Sequence, residues 1–386
     1  MSPLPYSDQH AFPSFLQLET ICPSPVIVKS IEVYRYAGVY LVRATSQNGA
    51  VGIATCNSRA TYLIPMLQNL VIPAFIGQDA RELELLVKEV YTFNNNYKFH
   101  GMPFWCCVAY VEASLFDMLG NVTQKSVGEL LGGRWRDEIP IYLSSMRRDT
   151  TPQEEVDRIL ERLNETMARA VKLKIGGRMQ YNADSMQGRT ETLIPLARKT
   201  FGDEIELYAD ANGSYNYQKA IKIGRMLEDN GYTFFEEPCP FEQYEATKAV
   251  ADALDIDVAG GEQDCNLAQF RTMIRERIVD VVQFDLMYNG GIIRAMKVAR
   301  MAAEAGMKVT PHSPKYSPEL ATFLQFASVT RNTGPFLEFP ARVVEYDSWY
   351  HPAFVMQEGG TIKVPTGPGL GVLYDEQIWQ QAERIN

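Results

Sequence analysis

Cysteine pairs, basic runs and long apolar runs are all scarce in this chain, and each scarcity removes a class of function. The six cysteines, Cys22, Cys56, Cys106, Cys107, Cys239 and Cys265, show no CxxC pair or metal-type spacing. They read as reduced thiols of a cytoplasmic protein rather than a disulfide frame or a zinc site. The net charge is −10 with no cluster of lysine and arginine, which argues against nucleic acid, held mainly by cations on phosphates. No apolar run approaches the roughly 20 residues of a membrane span. The N-terminal MSPLPYSDQHAFPSF has neither the basic start nor the apolar stretch of a signal peptide. Neither a nucleic-acid nor a membrane partner is expected. An acidic protein that takes an anionic substrate needs local positive charge, from a metal or from buried lysines.

A length of 386 residues leaves room for two domains, one of them a barrel of roughly 250 residues. Residues 1–25 read as an arm or lid loop without assignable structure. From Val26, the run VIVKSIEVYRYAGVYLVRAT and the following GAVGIATC are rich in β-branched and aromatic residues, the pattern of a three-stranded meander. Helices are expected near 79–96 and 103–120. The second, PFWCCVAYVEASLFDMLG, is apolar nearly all round and should be buried. Residues 26–138 thus form an α+β unit. Over 139–345 the character changes: IPIYLS, AVKLKI, EIELYAD, YTFFEEP, DVAGGEQ, DVVQFD, MKVTPH and FLEF alternate with amphipathic segments. Thr151-Pro152-Gln153-Glu154 is a capping box with proline at the first helical position, and Ser317-Pro318 is expected to open another helix. Eight strands with helices between them make a (β/α) barrel, which carries its working residues at the C-terminal strand ends. The closing segment, 346–386, contains TIKVPTGPGLGVLYD and is expected to cross back to the first domain.

An ionisable residue stands at or near the end of seven of these runs: Lys174, Asp210, Glu236, Glu262, Asp285, His312 and Glu338, separated by 36, 26, 26, 23, 27 and 26 residues. Charges crowded on one rim repel one another and lose hydration, so such a set points to a metal and to catalysis rather than to stability. Asp210, Glu236 and Glu262 come from three consecutive strands and call for a hard cation; Mg²⁺ suits an all-oxygen donor set. Asn212 is placed to aim an amide at the metal or the substrate, or else to form an Asx turn.

Lys172 and Lys174 lie two apart on one strand and share its inward face. Two neighbouring ammonium groups are expected to lower each other's pKa, giving a usable general base. His312 follows an apolar run, and Asp285, one strand earlier, is placed to hold its ring and tautomer.

Taken together, KLK (172–174), DAN (210–212), EEP (236–238), GGEQ (260–263), the Asp285–His312 pair and VPTGPGLGV (364–372) make the stretch from about Val26 to Val372 resemble the mandelate racemase-like branch of the enolase superfamily. The resemblance implies an α/β fold: a (β/α)7β TIM-like barrel with an N-terminal α+β capping domain completed by the C-terminal segment. It implies Asp210, Glu236 and Glu262 as ligands of an essential Mg²⁺. It also implies Lys174 as one acid/base tuned by Lys172, the Asp285–His312 dyad as the other, and Glu338 as a hydrogen-bonding partner of the substrate carboxylate. The absence of a lysine at 285 sets aside the muconate-lactonising and dipeptide-epimerase branches. A homo-oligomer acting on a small-molecule carboxylate is expected.

The expected chemistry is removal of the proton next to a carboxylate, with the enolate charge absorbed by Mg²⁺ and by donors such as a protonated Glu338. Loss of water from the β-carbon would make the chain a sugar-acid dehydratase; return of a proton to the other face would make it a racemase or epimerase. Ser144, Arg147, Arg148, Asn289 and Lys315 suit a polyhydroxylated acid. The loops 8–22 and 56–60 are the candidate specificity segments; His10, Arg59 and His100 either reach the substrate or are simply exposed, and exposure is the expectation for any one of them.

Overall fold

The computed structural model describes residues 16–385. Most of the expected arm and lid loop, residues 1–15 with His10, lies outside them. Where the arm is described it is not wholly irregular: Leu18–Ile21 forms one helical turn, and Arg81 holds the chain after it by donating to the Cys22 and Pro23 carbonyls.

The β-rich N-terminal run folds as the expected meander. Val28–Tyr36 (β1), Val39–Ser46 (β2) and Val51–Thr55 (β3) are antiparallel neighbours. The helix Met102–Thr123 packs across them, and every residue from Phe104 to Gly120 is buried. It is long and apolar enough to cross a membrane by length and composition, but 89% of its apolar window is buried inside the protein, so its apolar surface is used as core. Over 79–96 the helix is broken into a 3₁₀ turn at Ala80–Glu82 and an α-helix at Leu83–Glu89. One helical stretch has no counterpart in the sequence reading. Ala60–Met66 runs on into a π turn at Leu67–Val71, with Pro65 inside the helix. Proline reads locally as a breaker; here widening the turn keeps the chain helical.

All eight alternating runs become parallel strands: Glu138–Ser144 (β4), Ala170–Lys174 (β5), Glu206–Asp210 (β6), Phe234–Glu236 (β7), Asp257–Gly260 (β8), Val281–Val282 (β9), Lys308–Val309 (β10) and Leu337–Pro340 (β11). Each pairs with the next from β4 to β10, and β11 pairs with β4. The seam is closed by the chain entering β11, where Val309 N donates to Asn332 O at 2.9 Å and Gly334 N to Val309 O at 2.8 Å. A helix follows each of the first seven strands, which is the (β/α)7β TIM-like barrel. The Thr151–Glu154 capping box forms as read. Ser317-Pro318 instead makes a turn, and its helix begins at Leu320. The wide gap between Lys174 and Asp210 is filled by a loop at 175–188 before the helix Arg189–Phe201.

Strand periodicity sorts the barrel interior into layers. At one end Tyr142, Ala170, Tyr208, Phe234, Ala259 and Val281 form a separate apolar cluster, with Tyr208 and Phe234 stacked 3.9 Å apart. Two residues further along these strands Lys172, Asp210 and Glu236 are charged, Ser144 and Gln283 are polar, and Gly261 carries no side chain. The aromatic plug therefore closes one end and leaves the charges facing the other.

The C-terminal chain does cross back. Tyr350–His351 (β12) pairs with Leu373–Tyr374 (β14), Thr361–Lys363 (β13) lies antiparallel to β4, and Glu383–Ile385 (β15) adds a fourth strand beside β1. The N-terminal helix is also tied to the barrel. Glu112 accepts from Ile292 N at 2.6 Å and from Ile293 N at 2.9 Å, capping the helix Ile292–Glu304. Burial raises the Glu112 carboxyl to about 8, with these two hydrogen bonds opposing the rise, and its oxygens satisfy otherwise orphaned donors. Gly291 is required for the approach, since a Cβ on it would stand 1.9 Å from Glu112 Oε2. Glu112→Ala should lose about 2–3 kcal/mol of unfolding free energy by stranding two buried N–H groups. Urea unfolding checks this, and a change below about 0.5 kcal/mol would show that the clamp contributes little.

Candidate active site

Beyond the aromatic plug, the barrel interior is a chain of buried charges. Lys172 Nζ lies 2.6 Å from Glu236 Oε2, 3.0 Å from Glu338 Oε1 and 3.9 Å from Asp210 Oδ2. Burial works against its charge, but Glu236 and Glu338 overcome that and hold it well above the ordinary lysine range. This overturns the expected mutual lowering for Lys172: the two lysines do share a face, but the carboxylates around Lys172 outweigh its neighbour. Lys174 is nearer the mouth. It donates to Asp210 and, at 3.3 Å, to Asn212 Oδ1. Burial would raise Asp210, but Lys174, then Lys172 and Arg148, bring it to about 2.

Glu338 also differs from expectation. Burial opposes its charge, yet Lys172, then His312 and Lys174, drive it far below the usual carboxylate range. It is therefore ionised and accepts Ser313 N at 2.8 Å, rather than standing protonated as a donor. Glu236 is raised by burial to about 7, and Gln283 Nε2 donates to it at 2.9 Å.

On the opposite side, His312 Nδ1 meets Asp285 Oδ2 at 2.9 Å, and its Nε2 faces Glu262 Oε2 at 3.4 Å. Asp285 is fixed by Met287 N and Tyr288 N on its other oxygen and by Lys315 Nζ at 3.4 Å. Burial disfavours the imidazolium, but Glu262, ahead of the Asp285 hydrogen bond, raises His312 above its ordinary pKa.

Two strand-end residues hold left-handed backbone, Asn212 at φ 42° and Glu237 at φ 40°. Such conformations cost energy and cluster where function constrains the chain. Asp210 Oδ1 accepts Asn212 N at 2.8 Å, leaving the amide of Asn212 free to bridge: its Oδ1 accepts from Arg148 at 2.8 Å and its Nδ2 donates to Glu237 at 3.3 Å.

Among the described residues, no three acidic, histidine or cysteine side chains are gathered at metal-holding distance; Lys174 and Lys172 hold Asp210 and Glu236. The donor chemistry nevertheless fits a hard cation. Among the described residues, buried Glu236 Oε1, Glu237 Oε1 and Glu262 Oε2 accept no hydrogen bond, and His312 Nε2 stands 3.4 Å from Glu262 Oε2. Acceptor-only oxygens left this way are costly without a positive partner.

The mouth opens into a cleft of about 430 Å³ between the N-terminal sheet and the barrel, lined among others by Tyr40, Asn57, Arg59, Tyr288, His312 and Lys315. The 56–60 loop thus reaches the site. Arg59 is exposed, as expected, but its guanidinium stacks 4.3 Å over Tyr288. His100 is exposed and bonds only its own turn through Tyr97 O. Of the proposed polar lining, Lys315 joins, Arg148 holds Asn212, and Ser144 helps to keep Glu338 below the usual carboxylate range. Arg147 instead pairs with Asp149 at 2.9 Å, and the side chain of buried Asn289 meets no hydrogen-bond partner among the described residues. Sequence reasoning passed over Glu237, Gln283 and Tyr288. Gln283 lies two residues before Asp285, so period-two alternation would have found it; Glu237 stands inside the EEP motif beside Glu236, and no local signal marks Tyr288.

Residues 154–378 match the family described as enolase C-terminal domain-like. The chain belongs to the enolase superfamily. Within that superfamily it is 27% identical over 320 residues to arabinonate dehydratase of Saccharolobus solfataricus, covering 82% of each chain. It superposes on the crystal structure of a provisionally named racemase from Roseobacter denitrificans with TM-score 0.87 and 35% identity, covering 93% of this chain and 99% of the other. A mandelate racemase/muconate lactonizing protein from Paracoccus denitrificans PD1222, complexed with magnesium, shares the fold with TM-score 0.84 and 24% identity over 94% of this chain and 99% of that one.

Lys172→Met tests the buried charge chain. Removing the cation strands Glu236 and Glu338 and should cost about 3–5 kcal/mol in urea unfolding with chelator present. A loss under about 1 kcal/mol would mean that the carboxylates are satisfied without Lys172.

Proposed function

We propose that the chain removes the proton next to the carboxylate of a sugar acid and then expels water from the β-carbon, giving a 2-keto-3-deoxy acid. The observation that carries this reading is the pair of acid/base groups on opposite sides of one carboxylate-rich mouth, Lys174 with Asp210 and Asn212 on one side and the His312–Asp285 dyad on the other. The arabinonate dehydratase relative supports the dehydratase form.

Asp210, Glu236 and Glu262 would hold Mg²⁺, which when bound supplies positive charge that neutralises the second negative charge of the enolate and competes with the lysines for their carboxylates. The neighbour complexed with magnesium and the unpartnered carboxylate oxygens support that assignment. Lys172 is not the base, because Glu236 and Glu338 hold its proton; it contributes fixed positive charge. Lys174 takes the α-proton. His312, raised above its ordinary pKa, gives a proton from Nε2 to the departing β-hydroxyl, while Asp285 fixes Nδ1 and hence the tautomer. Asn212 orients Lys174 through its Oδ1. Glu338 is an acceptor for substrate hydroxyl.

The same two groups would racemise an acid lacking a β-hydroxyl, with His312 returning the proton to the α-carbon. The racemase-type neighbour favours this second reading. A library of sugar acids and 2-hydroxy acids, screened for 2-keto products and for inverted configuration, separates the two. Dehydration is expected; inversion without keto acid would assign the isomerase, and neither product from any acid would contradict both. On the acid that reacts, Lys174→Ala and His312→Asn should each lower kcat by about 10²–10⁴-fold, and chelation should abolish turnover until Mg²⁺ is restored. Full activity in His312→Asn would remove the dyad from the mechanism.

A further inference from the structure

The cleft carries more positive charge than one carboxylate requires. Arg59 from the 56–60 loop and Arg178 from the 175–188 loop both line it, together with Lys315. Lys315 is engaged with Asp285. Arg59 is not engaged in this way: its backbone N–H bonds Asn57, but among the described residues its guanidinium makes no hydrogen bond or ion pair, only the stack on Tyr288. Of the acids of the same cleft, Glu319 lies close enough to feel its charge, but among the described residues neither Glu319 nor Glu262 forms an ion pair with it.

Stacking covers a face of the guanidinium and leaves its N–H donors pointing outward in plane, a fork that matches a carboxylate bidentately. The position is also defined. The Tyr288 ring lies 6.0 Å from the His312 ring, so the fork stands one aromatic ring away from the imidazole. A sugar acid held at the lysine–histidine centre would present its far end there. A neutral hydroxymethyl end would leave the fork unpaired, whereas an anionic end would complete it.

We propose that Arg59 selects acids with a second anionic group, and that the substrate is a dicarboxylic sugar acid whose far carboxylate binds the Arg59 fork. The assignment rests on the proton-abstraction reading above and narrows it. A cleft of about 430 Å³ is in the range of small-ligand sites. A terminal phosphate offers the same anionic chemistry and is separated by the test.

Diacids and monoacids matched in configuration across the galacto, gluco, manno and altro series differ only at the terminal carbon. For the series that reacts, wild type should prefer the diacid in kcat/KM by about 30-fold, the scale of a charge-assisted hydrogen-bonded pair. Arg59→Met, checked for folding by its melting curve, should reduce that preference to near parity, and Arg59→Lys should restore part of it. Equal use of both acids by wild type, or an unchanged preference in folded Arg59→Met, overturns the proposal. So does a preference for 6-phosphogluconate over both, which would give the fork to phosphate. Calorimetry of the same acids with Lys174→Ala needs no turnover. If nothing is turned over, the proton-abstraction reading fails; diacid binding that still depends on Arg59 then preserves the fork, and binding indifferent to Arg59 overturns it as well.

Discussion

Lys172 sits inside the barrel between Glu236 and Glu338, with Asp210 3.9 Å away. Burying such charges is expensive unless each has a partner, and the surrounding sequence is organised to supply one. The aromatic layer of Tyr142, Tyr208 and Phe234 closes the barrel beneath the charges, so they are solvated only by each other and by the mouth. Lys172 holds Glu338 ionised, Lys174 holds Asp210 ionised, and Lys315 shares Asp285 with His312. The residual mismatch falls on Glu236, Glu237 and Glu262, each with a buried oxygen that accepts no hydrogen bond among the described residues.

The barrel provides the charges and the N-terminal unit provides the enclosure. Glu112 fixes the long buried helix to the start of Ile292–Glu304, and β15 and the Thr55–Tyr374 hydroxyl contact at 3.0 Å tie the returning chain to the same sheet. With that unit fixed, the 56–60 loop and β2 overhang the mouth, and Arg59 comes to rest on Tyr288. Chemistry and selectivity therefore reside on different parts of the chain. In the proposed reaction the strand ends choose the bond that breaks, and in the proposed selectivity the overhanging loop reads the far end of the substrate.

Much of this was legible in the sequence because it is local or periodic. Two lysines two apart must share a strand face, and carboxylates one barrel repeat apart must meet at one rim. Meander, buried helix, alternating barrel and returning C-terminus follow from the same patterns. What escaped depends on partners distant in sequence. The raised Lys172 and the ionised Glu338 follow from who faces whom across the barrel, not from the KLK motif alone. The helix at 60–66 was hidden by its own proline, and the stacking of Arg59 on Tyr288 joins residues that nothing in the sequence connects.

The central claim is that a base in this mouth removes a proton from the carbon next to a carboxylate. Incubating the enzyme and Mg²⁺ in D₂O with a bound 2-hydroxy acid lacking a β-hydroxyl reads that step without any elimination. Mass and NMR spectra of the recovered acid should show deuterium at the α-carbon, dependent on Lys174. An α-carbon that stays fully protonated across every acid that binds would contradict the account.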